Sequence, residues 1–335
     1  MPSNLTAADE THDGSDEPVG IVGAGPMAVE YAKAATHLGI PYRVYGRGAD
    51  SAATFQAATG VRPGTGPLAH QLSTSPIRTA IVAVGIPDLP GVAAELIDNG
   101  CKRLLLEKPG ALNRIELETL ADRASRSRDV EIFVAYNRRF YPGVQRAKEI
   151  IGDDGGVTSI TFNFTEAAWR VDKLQKNSRV KENWLFANSS HVIDLAFFLA
   201  GRPASLNAMS QGGLSWHPGG SQFVGHGQLE GGGVFSYHAD WEAPGSWSIE
   251  AMTKNHRFIF RPLESLRIQS VGSFDIQDID FGVNSNSMTP KTGLCEMIQR
   301  LLENRNDKDL VTLGDQIESF KLYESVLSGT DIRKP

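Results

Sequence analysis

Two short stretches hold residue types that could do chemistry. In G-A-G-P-M-A, residues 23–28, the pattern Gly23-x-Gly25-x-x-Ala28 follows the β-rich run V-G-I-V and opens V-E-Y-A-K-A-A-T-H-L-G, which has helical spacing. That arrangement is suited to holding a phosphate. Gly23 permits a tight turn, Gly25 lets the backbone approach a pyrophosphate, and Ala28 lets helix and strand pack closely. The free N–H groups and the dipole of the helix start favour the anion. In R-L-L-L-E-K-P-G, residues 103–110, an apolar run ends in a carboxylate, an ammonium and a proline.

The elements that position these stretches alternate. V-G-I-V at 19–22, Y-R-V-Y at 42–45, T-A-I-V-A-V at 79–84, R-L-L-L at 103–106 and E-I-F-V-A-Y at 131–136 read as strands. Helical stretches follow several of them, notably 91–99 and 114–127. This order predicts a parallel sheet with helices on both faces, and continuous apolar strands fit a sheet buried on both sides. In such a sheet, ligands sit at the carboxyl ends of the strands. Glu107 and Lys108 project from that edge, solvated on the cleft side, and Pro109 stops the ladder because it has no N–H to donate. Glycine turn and sheet together predict dinucleotide binding. An NAD site usually places Asp or Glu about 20 residues on, at the ribose diol. The expected position falls in V-Y-G-R-G, residues 44–48, which holds no acid. Arg47 stands there between Gly46 and Gly48, and a guanidinium suits a 2′-phosphate. NADP is therefore expected over NAD.

The chain has 335 residues, long enough for two domains, and its composition is that of a globular protein. A net charge of −6 with interspersed signs argues against nucleic acid or an anionic membrane as partner. Cys101 and Cys295 lie far apart, and the histidines show no ligand spacing, so neither a disulfide framework nor a metal is expected. Residues 1–17 carry five acids and no basic residue, which predicts a disordered acidic tail rather than a secretory signal, hence a cytoplasmic protein. Beyond residue 155 the chain alternates strand-like segments: V-T-S-I-T-F-N-F, L-N-A-M-S-Q, G-Q-L-E, G-G-V-F-S-Y-H, S-W-S-I-E-A-M, R-F-I-F and S-L-R-I-Q-S. They predict a large, mostly antiparallel sheet. Amphipathic stretches are expected at 191–201, 295–303 and 315–327. The fold class is thus α/β plus α+β. A Rossmann doubly wound domain spans 18–138, and a substrate-binding and oligomerisation domain with helices on one sheet face spans 139–335.

Four ordered blocks carry a family resemblance: G-I-V-G-A-G-P-M-A at 20–28, E-K-P at 107–109, A-Y-N-R-R-F-Y-P at 135–142, and S-S-H-V-I-D-L-A-F-F-L-A-G at 189–201. The chain resembles the glucose–fructose oxidoreductase / inositol dehydrogenase (Gfo/Idh/MocA) family from about residue 18 to 328. The resemblance implies an NAD(P)-dependent oxidoreductase acting on a secondary alcohol of a sugar, sugar nucleotide or cyclic polyol. It implies that Lys108, on a cis Lys–Pro bond, and His191 face each other across the cleft and handle the hydroxyl proton. It also implies a cofactor set of Gly23, Gly25, Pro26, Met27, Ala28, Gly46, Arg47, Val84, Gly85, Glu107, Lys108 and Asn137, and a homodimer or homotetramer formed through the second sheet. The chemistry is coherent. Hydride transfer requires a nearby proton carrier, a partly desolvated lysine has a lowered pKa, and histidine can exchange a proton near neutrality.

One departure matters. Much of the family has an aspartate four residues before the histidine; here that position is Ala187, and the usual glycine two before the histidine is Ser189. Three readings follow: Asn188 binds the substrate hydroxyl instead; Lys108 carries the proton alone with His191 as hydrogen-bond donor; or dehydrogenation has been lost. The first two together are preferred. A variant that cleaves or epimerises a glycoside with transient cofactor redox, and a non-catalytic NADP-binding protein, are the alternatives. Ser189 and Ser190 could instead cap a helix carrying a structural His191. Asp194 could share the His191 face or serve the helix dipole. Further substrate candidates are Tyr136, Trp169, Arg170, Lys173 and Trp184, an aromatic and basic set suited to a sugar or a phosphate. Arg138 and Arg139 fit either the site or a domain seam.

Overall fold

The computed structural model describes residues 17–282, 290–303 and 307–333. The proposed acidic tail lies outside them except for Glu17. Five strands, β1 (Val19–Val22), β2 (Tyr42–Tyr45), β3 (Thr79–Val82), β4 (Arg103–Glu107) and β5 (Glu131–Ala135), form a parallel sheet in the order β2-β1-β3-β4-β5. Its strands are apolar runs because helices cover both faces: every residue of β1, and all of β4 except Glu107, is buried. The helices are α1 (Pro26–His37), α2 (Ala49–Thr59), α3 (Leu68–Thr74), α4 (Leu89–Asp98) and α5 (Arg114–Ser125). Pro26 opens α1, where its missing N–H costs nothing. Asn113 caps α5, its side chain accepting from the Glu116 N–H. The sequence did not mark α2 or α3. Only Ala52 and Phe55 of α2 are buried, so no apolar stripe announces it.

The second half adds α6 (Pro142–Asp153), two short helices α7 (Ala168–Val171) and α8 (Ser178–Glu182), and α9 (Ser190–Ala200). Its strands are β6 (Ser159–Asn163), β7 (Ser205–Gln211), β8 (Gln222–Gln228), β9 (Val234–Asp240), β10 (Ser248–Met252), β11 (His256–Phe260), β12 (Leu266–Ser270) and β13 (Gln277–Ile279). They pair in the order β13-β12-β11-β10-β6-β9-β8-β7, with Ile332–Arg333 at the far edge. All these pairs are antiparallel except β6 with β9. Helices α6, α9 and α11 (Leu313–Ser328) pack on one face, and the other face is open, exposing Met209, Val224 and Val234. The fold expected from the sequence is thus the fold observed. The segment G-Q-L-E catches only the end of β8, because Gly225 and Gly227 read as turn residues. They are glycines because a Cβ at either position would drive into the ring of Tyr237 or Phe235. No helix among the described residues is long and apolar enough to cross a membrane.

The chain then returns to the first sheet. Helix α10 (Leu294–Glu303) buries Leu294, Met297, Ile298 and Leu301 in one core with Ala28 and Tyr31 of α1. Val311–Thr312 pairs antiparallel with β5. Between the two halves Arg139 clamps Asp194, donating from Nε at 2.9 Å and Nη2 at 2.6 Å, while its guanidinium lies 4.7 Å from the Phe198 ring. Asp194 therefore neither faces the site nor serves the dipole of α9; its carboxylate is buried in this pair. Asp194→Ala would strand the Arg139 charge and lower stability by about 3–5 kcal/mol. Urea unfolding measures it, and a loss under about 1 kcal/mol, the worth of a solvated pair, would mean the seam does not depend on it.

Candidate active site

The parallel sheet reverses its winding between β1 and β3, where such sheets bind ligands. Gly23 has φ 122°, and a Cβ there would meet the Ala83 carbonyl of the facing strand tip. A Cβ on Gly25 would point into open space, with no heavy atom within 4 Å. The turn is thus closed behind and open in front, as a backbone cradle for phosphate requires. Pro26, Met27 and the fully buried Ala28 begin α1, and Val84 and Gly85 follow β3 at the same edge. Gly46 closes the tip of β2: its N–H donates to Gly64 at 2.8 Å, and Gln71 Nε2 donates to its carbonyl at 2.9 Å. Arg47 is exposed, and its guanidinium has no ion pair or hydrogen bond among the described residues. These residues fit an adenine dinucleotide.

At the tip of β4, Glu107 is half-buried rather than fully solvated in the cleft. Helix α1 lies over it, and Tyr31 Oη donates to Glu107 Oε1 at 2.6 Å. Burial pushes the Glu107 pKa up, against the Tyr31 hydrogen bond and the neighbouring Lys108 and Lys291 charges. The Lys108–Pro109 bond is cis. The Lys108 amine turns to the second domain and donates to the carbonyl of Ala187. Burial lowers its pKa to about 8; Glu107 and Glu166 oppose that shift, while Lys291 and Arg138 reinforce it.

Ala187 belongs to a single π-helical turn, Leu185–Ser189, that runs directly into α9. Such turns are often found at functional sites. Ser189 and Ser190 do not cap the helix: Ser190 Oγ donates to the Phe186 carbonyl at 2.7 Å, and Ser189 Oγ to Glu166 at 2.7 Å. His191 is buried, with its Nδ1 unpartnered among the described residues. Its ring meets Tyr136 edge-on at 5.9 Å and Trp247 at 6.2 Å. Burial, then the positive charges of Lys108, Arg138 and Lys291, hold its pKa well below the usual range, so the imidazole is neutral.

The residue that sequence reasoning missed is Glu166. It follows β6 in N-F-T-E-A-A-W and is 5% exposed. Asn188 Nδ2 donates to both its oxygens at 3.0 and 3.1 Å, and Ser189 adds the third bond. Burial raises its pKa while these bonds and the Lys108 charge lower it. A buried carboxylate thus sits within electrostatic reach of Lys108. The signal available in the sequence was a lone acid in an apolar stretch just past a strand. Lys291, whose Nζ reaches the Met27 sulfur at 3.8 Å, and Trp247 were also missed.

Asn137 Nδ2 donates to the Thr292 carbonyl at 2.9 Å, which ties down the segment leading into α10. Tyr136 is buried, and its hydroxyl accepts from Gln316 at 3.1 Å and meets Tyr323 at 3.4 Å, so it points into the core. Trp184 is buried edge-on against Trp216 and lies beside Glu166, whose pKa its side chain helps to lower. Trp169, Arg170 and Lys173 stand in solvent and are not tied to Lys108 or His191 by any hydrogen bond or ion pair. Of the arginine pair, Arg139 belongs to the seam, while Arg138 faces the cleft, stacked 5.1 Å over Trp247. The cavity of about 680 Å³ lined by Val19, Thr79, Arg103 and Glu131 is at the amino ends of the strands, the opposite edge from this chemistry.

No protein-family model and no curated protein matches the chain. Solved structures do. The chain is similar to levoglucosan dehydrogenase in complex with NADH and L-sorbose, with TM-score 0.77 and 16% identity over 95% of this chain and 99% of that one. It is also similar to an NAD-binding oxidoreductase from Klebsiella pneumoniae (TM-score 0.75, 15% identity, 96% and 100% covered). A third is an oxidoreductase from Agrobacterium radiobacter in complex with NAD+, L-tartaric acid and magnesium (TM-score 0.73, 13% identity, 95% and 98% covered). At these identities the likeness establishes the two-domain fold.

Glu166→Gln removes the buried negative charge that favours the ammonium form of Lys108. The Lys108 pKa should then fall further below about 8. The pH dependence of Lys108 acetylation, followed by mass spectrometry of the peptide, should shift to lower pH. An unchanged or higher midpoint would show that Glu166 does not act on this amine.

Proposed function

We propose that the chain is an NADP-dependent oxidoreductase that transfers a hydride to or from a secondary alcohol or ketone of a sugar, sugar nucleotide or cyclic polyol. The observation that carries this reading is the convergence of Lys108, neutral His191 and the buried carboxylate of Glu166 at the strand edge that also holds the glycine turn. A nicotinamide bound there supplies the hydride acceptor or donor. Lys108 Nζ takes the hydroxyl proton as a carbinol is oxidised and returns it in the reverse direction. A lysine with a pKa of about 8 holds a useful fraction of free amine near neutrality, which an ordinary lysine does not. His191, held neutral, orients the same hydroxyl through a ring nitrogen instead of carrying its proton. Glu166 keeps Asn188 and Ser189 in place and tempers the loss of charge on Lys108. This buried carboxylate favours turnover over the non-catalytic alternative, since the charge absent at Ala187 is supplied from the segment after β6.

Two substitutions test this. Lys108→Ala should cut turnover by about 10²- to 10⁴-fold with cofactor affinity kept; unchanged turnover would remove Lys108 from the mechanism. Arg47→Glu should weaken NADP about tenfold or more relative to NAD, the worth of one charge-assisted hydrogen bond. Equal loss for both dinucleotides, by fluorescence titration, would mean that Arg47 does not read a 2′-phosphate.

A further inference from the structure

A cavity of about 370 Å³ opens beside the catalytic cleft, lined by Arg138, Trp247, Arg261, Glu264 and neighbouring residues. Trp247 joins it to the site. One side of this half-buried ring meets His191 at 6.2 Å, and the Arg138 guanidinium lies 5.1 Å from its centroid. Arg138 also lies 5.6 Å from the Tyr141 ring, so its plane is fixed between two aromatic side chains. Its ion pair with Glu264, at 2.7 Å, uses Nη1 alone. Nε and Nη2 have no partner among the described residues. Glu264 is itself half in solvent, so the pair is screened and exchangeable. Arg261 is exposed in the turn between β11 and β12, and its guanidinium has no ion pair or hydrogen bond among the described residues.

Charge sharpens the argument. Around this cavity two guanidinium groups face one carboxylate. Further in, the positive charges of Arg138 and Lys291 both act on Lys108 and His191, lowering the pKa of each. A neutral polyol offers such a field only hydroxyl dipoles, whereas an anion offers a full charge. A planar fork held on an aromatic ring matches the oxygens of a carboxylate or a phosphate. The neighbouring cavity of about 180 Å³, which Arg261 also borders, contains Asp240 and is less suited to an anion.

We propose that the substrate carries an anionic group, a carboxylate or a phosphate, seated between Arg138 and Arg261, with its ring laid against Trp247. This rests on the oxidoreductase reading for the reaction, but the anion site stands on its own geometry and is tested by binding.

The test titrates the NADP-saturated protein by calorimetry with matched ligands: glucose against glucuronate, galactose against galacturonate, and glucose against glucose 6-phosphate. At least one acid should bind about tenfold or more tightly than its neutral partner, and whichever arm wins separates carboxylate from phosphate. Arg261→Glu, at an exposed and unpaired position, should fold normally and erase that preference while leaving NADP affinity unchanged. Neutral sugars binding as well as the acids, no acid binding, or a preference untouched by Arg261→Glu would each overturn the proposal. The oxidoreductase reading fails separately, if a ligand that binds produces no change in nicotinamide absorbance.

Discussion

Everything at this site depends on one constraint: the amine of Lys108 must be held at a seam where it cannot be fully hydrated. A lysine on an ordinary strand tip would reach into water and stay charged. Here β4 ends against the second domain, and the amine is taken up by the carbonyl of Ala187. That single contact ties the parallel sheet to the π-helical turn before α9 and so fixes His191 relative to the glycine loop. The Arg139–Asp194 pair and the return of α10 onto α1 hold the same two halves together from behind. The seam explains why the strand ends in two charged residues. Tyr31 and Ala187 give each of them a partner at a place where burial would otherwise exclude both.

The electrostatics then follow from position rather than from motif. Desolvation is the largest influence on Lys108, His191, Glu107 and Glu166 alike. It pushes the bases down and the acids up, so that a lysine and a histidine can share a cleft without both being charged. Glu166, in the segment that follows β6, adds a buried negative charge to that balance and is held by Asn188 and Ser189.

The fold was legible because strongly periodic segments dominate it. Buried parallel strands and a glycine turn leave continuous apolar runs, and the second sheet alternates. What the sequence hid were elements without a stripe, such as α2, and strands whose glycines answer to neighbouring rings, such as β8. The site was half legible. Gly23, Gly25, Arg47, Lys108 and His191 sit in local patterns that a reader of one stretch can find. Glu166, Trp247 and Lys291 do not, because their relevance arises only when β6, the segment before β10 and the segment before α10 close over β4. Tyr136 and Asn137 follow a strand at the same edge; the Tyr136 hydroxyl and Asn137 Nδ2 are tied to Gln316 and Thr292, while the Tyr136 ring meets His191 edge-on.

The central claim is that the Lys108 amine titrates near neutrality because the seam desolvates it. NMR of protein carrying ¹³C at lysine Cε reads this directly, with the Lys108 resonance assigned by its loss in Lys108→Arg. A titration midpoint of about 8 is expected for this lysine. A Lys108 midpoint at the value of an ordinary solvated amine would contradict the claim.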